Sequence, residues 1–128
     1  MKLIRTSFLA FLILSSFVHA KPIKVLLLDG QNNHNWKATT PVMVDALEKD
    51  DFCKVTVLTS PPKNSPADAW KTWKPKFNDF DVTLTNYNGE LWPEDVQGSL
   101  TNYVRNGGSF VVVHAANNAF SKWKEYNT

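Results

Sequence analysis

The fold of this chain is indicated first by residues 23–36, IKVLLLDGQNNHNW, where an apolar run gives way to polar and aromatic residues. A short continuous apolar run is typical of a parallel strand that is covered on both faces. Two further runs, 82–85 and 110–113, end in the same way, in NYNGELW at 86–92 and HAANNAF at 114–120. The repetition predicts three strands that are each followed by a polar loop.

A helix and another strand lie between the first two of these runs. Thr40 and Pro41 predict the start of the helix, with threonine as the N-cap and proline at the first helical position. Residues 53–59 are predicted to form a strand. Residues 60–76 hold four prolines and predict a long loop, with one short helical turn at 67–72.

A second long helix precedes the last strand. Pro93 opens it, and Gly107-Gly108 ends it, with one glycine in the left-handed C-cap conformation. Its predicted buried stripe consists of Val96, Leu100, Tyr103 and Val104. Alternating strands and helices predict an α/β fold with a parallel sheet and right-handed crossovers. In such sheets ligands bind at the carboxyl edge, where the polar loops would converge.

The N-terminal segment predicts an export signal rather than part of the fold. Lys2 and Arg5 give a positive start, and residues 8–17 are mostly apolar. The apolar stretch is shorter than the about 20 residues that a membrane span needs. We therefore predict residues 1–20 as a signal peptide and 21–128 as one domain, secreted or periplasmic, without membrane contact after cleavage. An uncleaved N-terminal anchor is the alternative.

Without the predicted leader the chain is electrically neutral. The whole chain has 14 Lys plus Arg and 12 Asp plus Glu, and the leader holds Lys2 and Arg5 but no acid, so residues 21–128 carry 12 of each sign. A nucleic-acid-binding domain has a basic stripe, whereas these lysines are scattered among acids, so we predict no nucleic-acid partner. Cys53 is the only cysteine, which excludes a disulfide within the chain, and we expect it to pack as a small apolar residue.

The polar loops carry side chains suited to a neutral, polyhydroxylated ligand. Amides donate and accept hydrogen bonds, as hydroxyl groups do, and tryptophan offers a flat apolar face to a sugar ring. The predicted ligand-binding residues are Gln31, Asn32, Trp36, Asn88, Trp92 and Asn117. The alternatives are structural: the tryptophans would cover the sheet edge, and the asparagines would form turns.

Three groups near the predicted sheet edge could perform acid–base chemistry. His34 and His114 follow the first and last strands, and Glu90 follows the third, so we predict these three as catalytic residues. The two histidines could also share a divalent metal, although none of the standard zinc spacings is present. In the alternative, His34 is a solvated turn residue and His114 is buried against a backbone carbonyl. Dinucleotide and P-loop motifs are absent.

The chain also carries three distinctive stretches, LLLDGQNNHNWKATTPV at 26–42, LTNYNGELWPEDVQGSLTNYVRNGG at 84–108 and SFVVVHAANNAFSKWKEYN at 109–127. Together they closely resemble the ThuA-like domain family, which is named for trehalose utilisation. The resemblance spans nearly all of residues 23–128. It implies a flavodoxin-like, class I glutamine amidotransferase-like three-layer sandwich with a parallel sheet. Because the family domain is considerably longer, the chain looks like its N-terminal part.

The resemblance implies a link to carbohydrate metabolism, because family members are often secreted by bacteria and associated with disaccharides or keto-sugars. We therefore expect hydrolysis or isomerisation of a disaccharide, glycoside or keto-sugar. A non-catalytic sugar-binding or interaction module on the same scaffold is the alternative. True amidotransferases of this fold carry a nucleophilic cysteine after a strand, whereas the comparable strand here ends in His114-Ala115-Ala116. We expect no thiol-dependent hydrolysis of glutamine.

Overall fold

A computed structural model describes residues 21–127 of the chain, so the predicted signal peptide, residues 1–20, lies outside the described residues. The strands are β1 (Ile23–Asp29), β2 (Cys53–Thr59), β3 (Val82–Thr85) and β4 (Ser109–Val112). They form a parallel sheet in the order β2-β1-β3-β4. This order is that of the first four strands of the flavodoxin-like arrangement. The predicted α/β fold is confirmed.

Helices connect the strands and cover the sheet. The α-helices are α1 (Trp36–Glu48), α2 (Ala67–Thr72) and α3 (Glu94–Arg105). Short 3₁₀ segments lie at Phe77–Asp79, His114–Asn118 and Lys124–Tyr126. The helical turn predicted in the proline-rich loop is confirmed as α2. Within residues 21–127, no helix has the length and apolar character that crossing a membrane requires.

The first long helix starts earlier than the sequence predicted. Its N-cap is Asn35, whose side-chain oxygen accepts a hydrogen bond from the backbone N–H of Ala38 at 3.3 Å. Asparagine is as good a cap as threonine, because its short side chain reaches N–H groups that the first turn leaves without partners. The prediction of an N-cap at Thr40 is therefore wrong: Thr40 is a buried helical residue, and Pro41 lies inside α1.

Burial differs sharply between the middle and the edges of the sheet. In β1, which has a strand on each side, residues Val25 to Leu28 are at most 3% exposed. In β4, Val111 and Val112 are 45% and 37% exposed. In α3, Val104 is also exposed. The prediction that Val104 belongs to the buried stripe is therefore wrong, because this residue lies at the margin of the buried face of the helix.

An aromatic core fills the space between the sheet and α3. Leu26 and Leu28 of β1 contribute to it, and so do Trp92, Phe120 and Trp123. Trp92 is 1% exposed, and its ring centroid lies 4.9 Å from that of Phe120 and 6.1 Å from that of Trp123. Aromatic pairs at such distances add about 0.5–1.5 kcal/mol each to what their buried area contributes. This core fixes the loop after β3, in which Trp92 stands.

We expect Gly30→Ala to destabilise the fold, because Gly30 joins β1 to the first polar loop in a conformation that other residues rarely adopt. Its φ is 120°, and a Cβ there would lie 2.4 Å from Ser60 Oγ. Backbone strain and overpacking together should lower the free energy of unfolding by about 2–5 kcal/mol, measured by urea denaturation. Gly98→Ala is the control, since a Cβ there meets nothing within 4 Å. Equal stability of the two variants would contradict the expectation.

Candidate functional site

The loops after β1, β3 and β4 meet at one edge of the sheet, because these strands are parallel neighbours. Two of the loops are bonded directly: the backbone N–H of Asn88 donates to Gln31 O at 2.8 Å. The loop after β4 reaches the same place through His114, whose ring contacts that of His34. The arrangement matches the predicted convergence of the three polar loops.

His34 and His114 form a pair of imidazoles at this edge. Their ring centroids are 4.8 Å apart, and the ring planes are inclined by 44°. Both residues are exposed, so the alternative in which His114 is buried is wrong. His114 has a φ of 47°, a left-handed conformation that costs a residue other than glycine about 1–3 kcal/mol. Backbone strain of this kind is concentrated at functional sites.

The distance between the imidazoles is compatible with a shared metal ion, but the surrounding residues supply few further ligands. Among residues 21–127, no group of three or more His, Cys, Asp and Glu side chains is arranged to hold a metal ion. Two histidines would leave half of a tetrahedral zinc shell to water or substrate. Acid–base chemistry needs no such additional ligands.

Two cavities adjoin at the site. The polar cavity, about 900 Å³, is lined among others by Gln31, Trp36, Lys37, Lys63, Asn88 and Glu90. The apolar hollow, about 480 Å³, is lined among others by His34, Val42, Met43, Val113 and His114. Asn32 lines both cavities. Glu90 therefore lies in the cavity next to the histidine pair, and the predicted catalytic set is divided between the two.

Glu90 is held in a fixed orientation by two other loops. Its carboxylate accepts hydrogen bonds from Gln31 Nε2 at 3.2 Å and from the backbone N–H of Asn64 at 3.1 Å. Its own backbone N–H donates to Gln31 Oε1 at 3.0 Å. The preceding Gly89 packs so closely that a Cβ would lie 2.4 Å from the Gln31 side chain. The Glu90 carboxylate thus links the loops that line the polar cavity.

The amides predicted to bind hydroxyl groups are partly used inside the protein. Gln31 is 7% exposed, and its Nε2 also donates to Pro61 O at 2.8 Å. Asn32 donates to Asn86 O at 2.8 Å and accepts from the backbone N–H of His34 at 2.9 Å. Gln31 and Asn32 therefore have fewer free donor and acceptor sites for ligand hydroxyls than the sequence indicated.

Trp92 and Asn117 do not join the polar cavity. Trp92 lies in the aromatic core at 1% exposure, so its predicted stacking on a ligand is wrong, because other rings already cover its faces. Asn117 lines a separate cavity with Trp123 and Tyr126. Trp36, in contrast, is half-buried and lines the polar cavity, with Lys37 Nζ 5.6 Å from its ring centroid.

Sequence reasoning missed two lysines that line the polar cavity, Lys37 and Lys63. Lys63 follows β2, whose carboxyl end lies beside that of β1. The strand order was the signal that could have found it, because neighbouring parallel strands bring their following loops together. Lys37 stands in the first turn of α1, which the sequence placed in a loop.

Stability should fall in alkaline solution because of two tyrosines. Burial, more than the nearby Glu90 charge, raises the pKa of Tyr87, whose hydroxyl donates to Glu90 O at 2.7 Å. Burial raises the pKa of Tyr126 to about 12, whereas tyrosine in an unfolded chain has a pKa of about 10. Above pH ~10 the unfolded chain loses protons that the folded chain keeps, so the stabilisation is full below that pH and disappears above the folded pKa values.

The measurement is urea denaturation between pH 9 and 12 of the wild type and of Tyr126→Phe. The variant lacks one of the two groups, so its free energy of unfolding should fall less steeply with pH. It also loses the hydrogen bond from the hydroxyl to Ala116 O, 2.8 Å long, which should lower stability at every pH. Identical slopes in the two proteins would contradict this account.

The structure is that of a parallel α/β protein with cavities at the carboxyl edge of its sheet, where ligands commonly bind in that class. The chain is similar to a protein from Parabacteroides merdae ATCC 43184 that is described as ThuA-like and known from a crystal structure, with a TM-score of 0.79 and 40% sequence identity over 84% of this chain. This similarity supports the ThuA-like family. The chain spans 37% of the length of that protein. No family model matches the chain, and no curated protein matches it.

Proposed function

We propose that this ThuA-like chain acts on a disaccharide, glycoside or keto-sugar by hydrolysis or isomerisation. The proposal depends on the imidazoles of His34 and His114, which are 4.8 Å apart, exposed, and line the apolar hollow that adjoins the polar cavity at Asn32. Histidine is the side chain most often used to transfer protons in catalysis. Two adjacent imidazoles allow one to accept a proton from the substrate while the other donates one.

The polar cavity supports a carbohydrate as the ligand. Its volume, about 900 Å³, falls in the range of about 300–1,000 Å³ typical of small-molecule sites. Trp36 offers part of its ring for contact with the C–H face of a sugar. Lys37 and Lys63 can donate hydrogen bonds to hydroxyl oxygens, and the Glu90 carboxylate can accept them. The cavity therefore combines a stacking surface with donors and acceptors.

The proposal also covers the role of the single cysteine and the cellular location of the protein. Cys53 stands at the first position of β2, which is the end of the strand opposite to the site, so the proposed reaction does not use the Cys53 thiol. We propose that the protein acts after export, in the periplasm or outside the cell. That location is supported by the leader-like pattern of residues 1–20.

The test is a panel of disaccharides, aryl glycosides and keto-sugars incubated with the full chain, with product release followed by chromatography. The double variant His34→Gln/His114→Gln is the control, since it keeps polar side chains but removes both imidazoles. Turnover by the wild type alone supports the proposal. Binding without turnover by either protein would favour the non-catalytic sugar-binding module. Failure to bind any member of the panel would contradict both.

Replacing Trp36 by alanine is expected to weaken carbohydrate binding about tenfold, equivalent to about 1.4 kcal/mol. The ring supplies a flat apolar face that the alanine side chain cannot replace. The measurement is isothermal titration calorimetry with the sugar that the panel identifies. Lys76→Ala, an exposed change outside both cavities, should bind as the wild type does. Equal affinity of Trp36→Ala would exclude a stacking role.

A further inference from the structure

Asn32 connects the histidine pair to the end of a neighbouring strand. Its Oδ1 accepts a hydrogen bond from the backbone N–H of His34 at 2.9 Å. Its Nδ2 donates to the backbone oxygen of Asn86 at 2.8 Å and to Asn86 Oδ1 at 3.3 Å. The two ends of one amide therefore tie His34 to the residue that follows β3.

Asn86, the residue to which Asn32 is tied, is firmly anchored. It is 5% exposed, and its backbone N–H donates to Leu28 O at 2.8 Å. Its Nδ2 donates to Thr39 Oγ1 at 3.1 Å and to Thr40 Oγ1 at 3.3 Å, both in α1. A buried amide whose donors and acceptors are all engaged has a single orientation. Asn86 can therefore hold the loop that carries His34 in a fixed position.

His114 depends on the same strand end. The backbone N–H of Val113, the residue before His114, donates to Thr85 O at 3.0 Å. Thr85 is the last residue of β3 and directly precedes Asn86. The positions of the two imidazoles therefore depend on two consecutive residues, Thr85 at the end of β3 and Asn86 directly after it. His114 is linked to Thr85 through the backbone N–H of Val113, and His34 is linked to Asn86 through the Asn32 side chain. Only the second link can be removed by changing a side chain.

We propose that Asn32 is a positioning residue, which holds His34 beside His114 and does not itself bind the substrate. The hydroxyl-binding role predicted from the sequence would require amide atoms that are already bonded to His34 and Asn86. Small displacements of catalytic groups lower rates strongly, because the reacting geometry is narrow. The expected effect on turnover rests on the proposed function, whereas the effect on the distance between the rings does not.

The geometric test uses the nuclear Overhauser effect between ring protons of the two histidines in the full chain. The wild type should show this cross-peak, because the ring centroids are 4.8 Å apart. Asn32→Ala should lose it while the remaining spectrum stays that of the folded protein. Asn33→Ala is the matched control from the same loop and should keep it. His34→Gln and His114→Gln assign the signals and distinguish them from His19.

A second variant keeps the proposal testable if Asn32→Ala does not fold. Asn32→Asp has nearly the same shape but no proton to donate to the two oxygens of Asn86, so the cross-peak should be lost there too. A cross-peak of wild-type intensity in whichever variant folds would overturn the proposal, because His34 would then be held without the amide.

Kinetics separate positioning from substrate binding. With the substrate identified by the panel, Asn32→Ala should lower kcat at least about tenfold and change KM by less than about twofold. A raised KM with unchanged kcat would mean that Asn32 binds the substrate, which overturns the proposal. A lost cross-peak together with unchanged kcat and KM would leave the positioning intact and contradict the catalytic role of the histidines instead.

Discussion

Replacing His114 by glutamine should lower kcat by about 10²–10⁴-fold, the usual contribution of a general acid or base, while carbohydrate affinity changes little. Glutamine keeps a polar side chain of moderate length but can neither accept nor release a proton near neutral pH. His114 begins the 3₁₀ segment that follows β4, has a strained φ of 47°, and its ring lies against that of His34. Affinity should persist because Trp36 and Glu90 line the other cavity.

The measurement combines initial rates with calorimetric affinities for the same substrate. Asn118→Gln is the matched control, since Asn118 is exposed in the same 3₁₀ segment, His114–Asn118. His34→Gln should resemble His114→Gln, because residues that act as a unit lose most of their effect when either is removed. Full turnover by His114→Gln would remove this histidine from the catalytic machinery.

Replacing Trp92 by alanine should lower the free energy of unfolding by about 3–5 kcal/mol, the range for deleting a buried aromatic side chain. The ring is 1% exposed and contacts Tyr87, Phe120 and Trp123. Its removal leaves a cavity in the aromatic core, because the surrounding rings can relax only partially.

Urea denaturation measures the effect, and Trp36→Ala provides the matched control. Trp36 is half-buried at the rim of the polar cavity, so the same substitution there should cost no more than about 1 kcal/mol. Trp92→Ala should therefore mainly lose stability, whereas Trp36→Ala should mainly lose affinity for the carbohydrate. If Trp92→Ala were as stable as the wild type but bound carbohydrate more weakly, Trp92 would contact the ligand after all, and the assignment to the core would be wrong.

Elements with a clear local pattern were predicted well. Residues 53–59 and 67–72 coincide with β2 and α2, and the apolar run of β1 gave the most buried strand. Such features depend on periodicity and on turn residues, which lie in the sequence itself. The start of α1 was misjudged because Thr40 and Asn35 are both acceptable caps, and the choice between them depends on where the preceding loop is anchored.

The candidate site was predicted only in part. The meeting of His34 and His114 followed from the expectation that parallel strands present their carboxyl ends at one edge. The sequence did not predict that Glu90 lies apart from the histidine pair, because its position depends on the hydrogen bonds to Gln31 and Asn64. The loop amides were predicted as ligand contacts, because an amide that holds a loop in place and an amide that faces a cavity cannot be distinguished in a sequence.

Hydrophobic periodicity and turn chemistry are local properties, so the α/β class, the strands and the sheet edge at which histidines and amides gather follow from the amino-acid residues alone. Which of these side chains face a cavity and which support the fold depends on the three-dimensional arrangement of the elements. Trp36 and Trp92 show the reason most clearly, since each follows a strand in a polar stretch of the sequence. One borders the polar cavity and the other fills the core, because burial depends on contacts with residues distant in sequence.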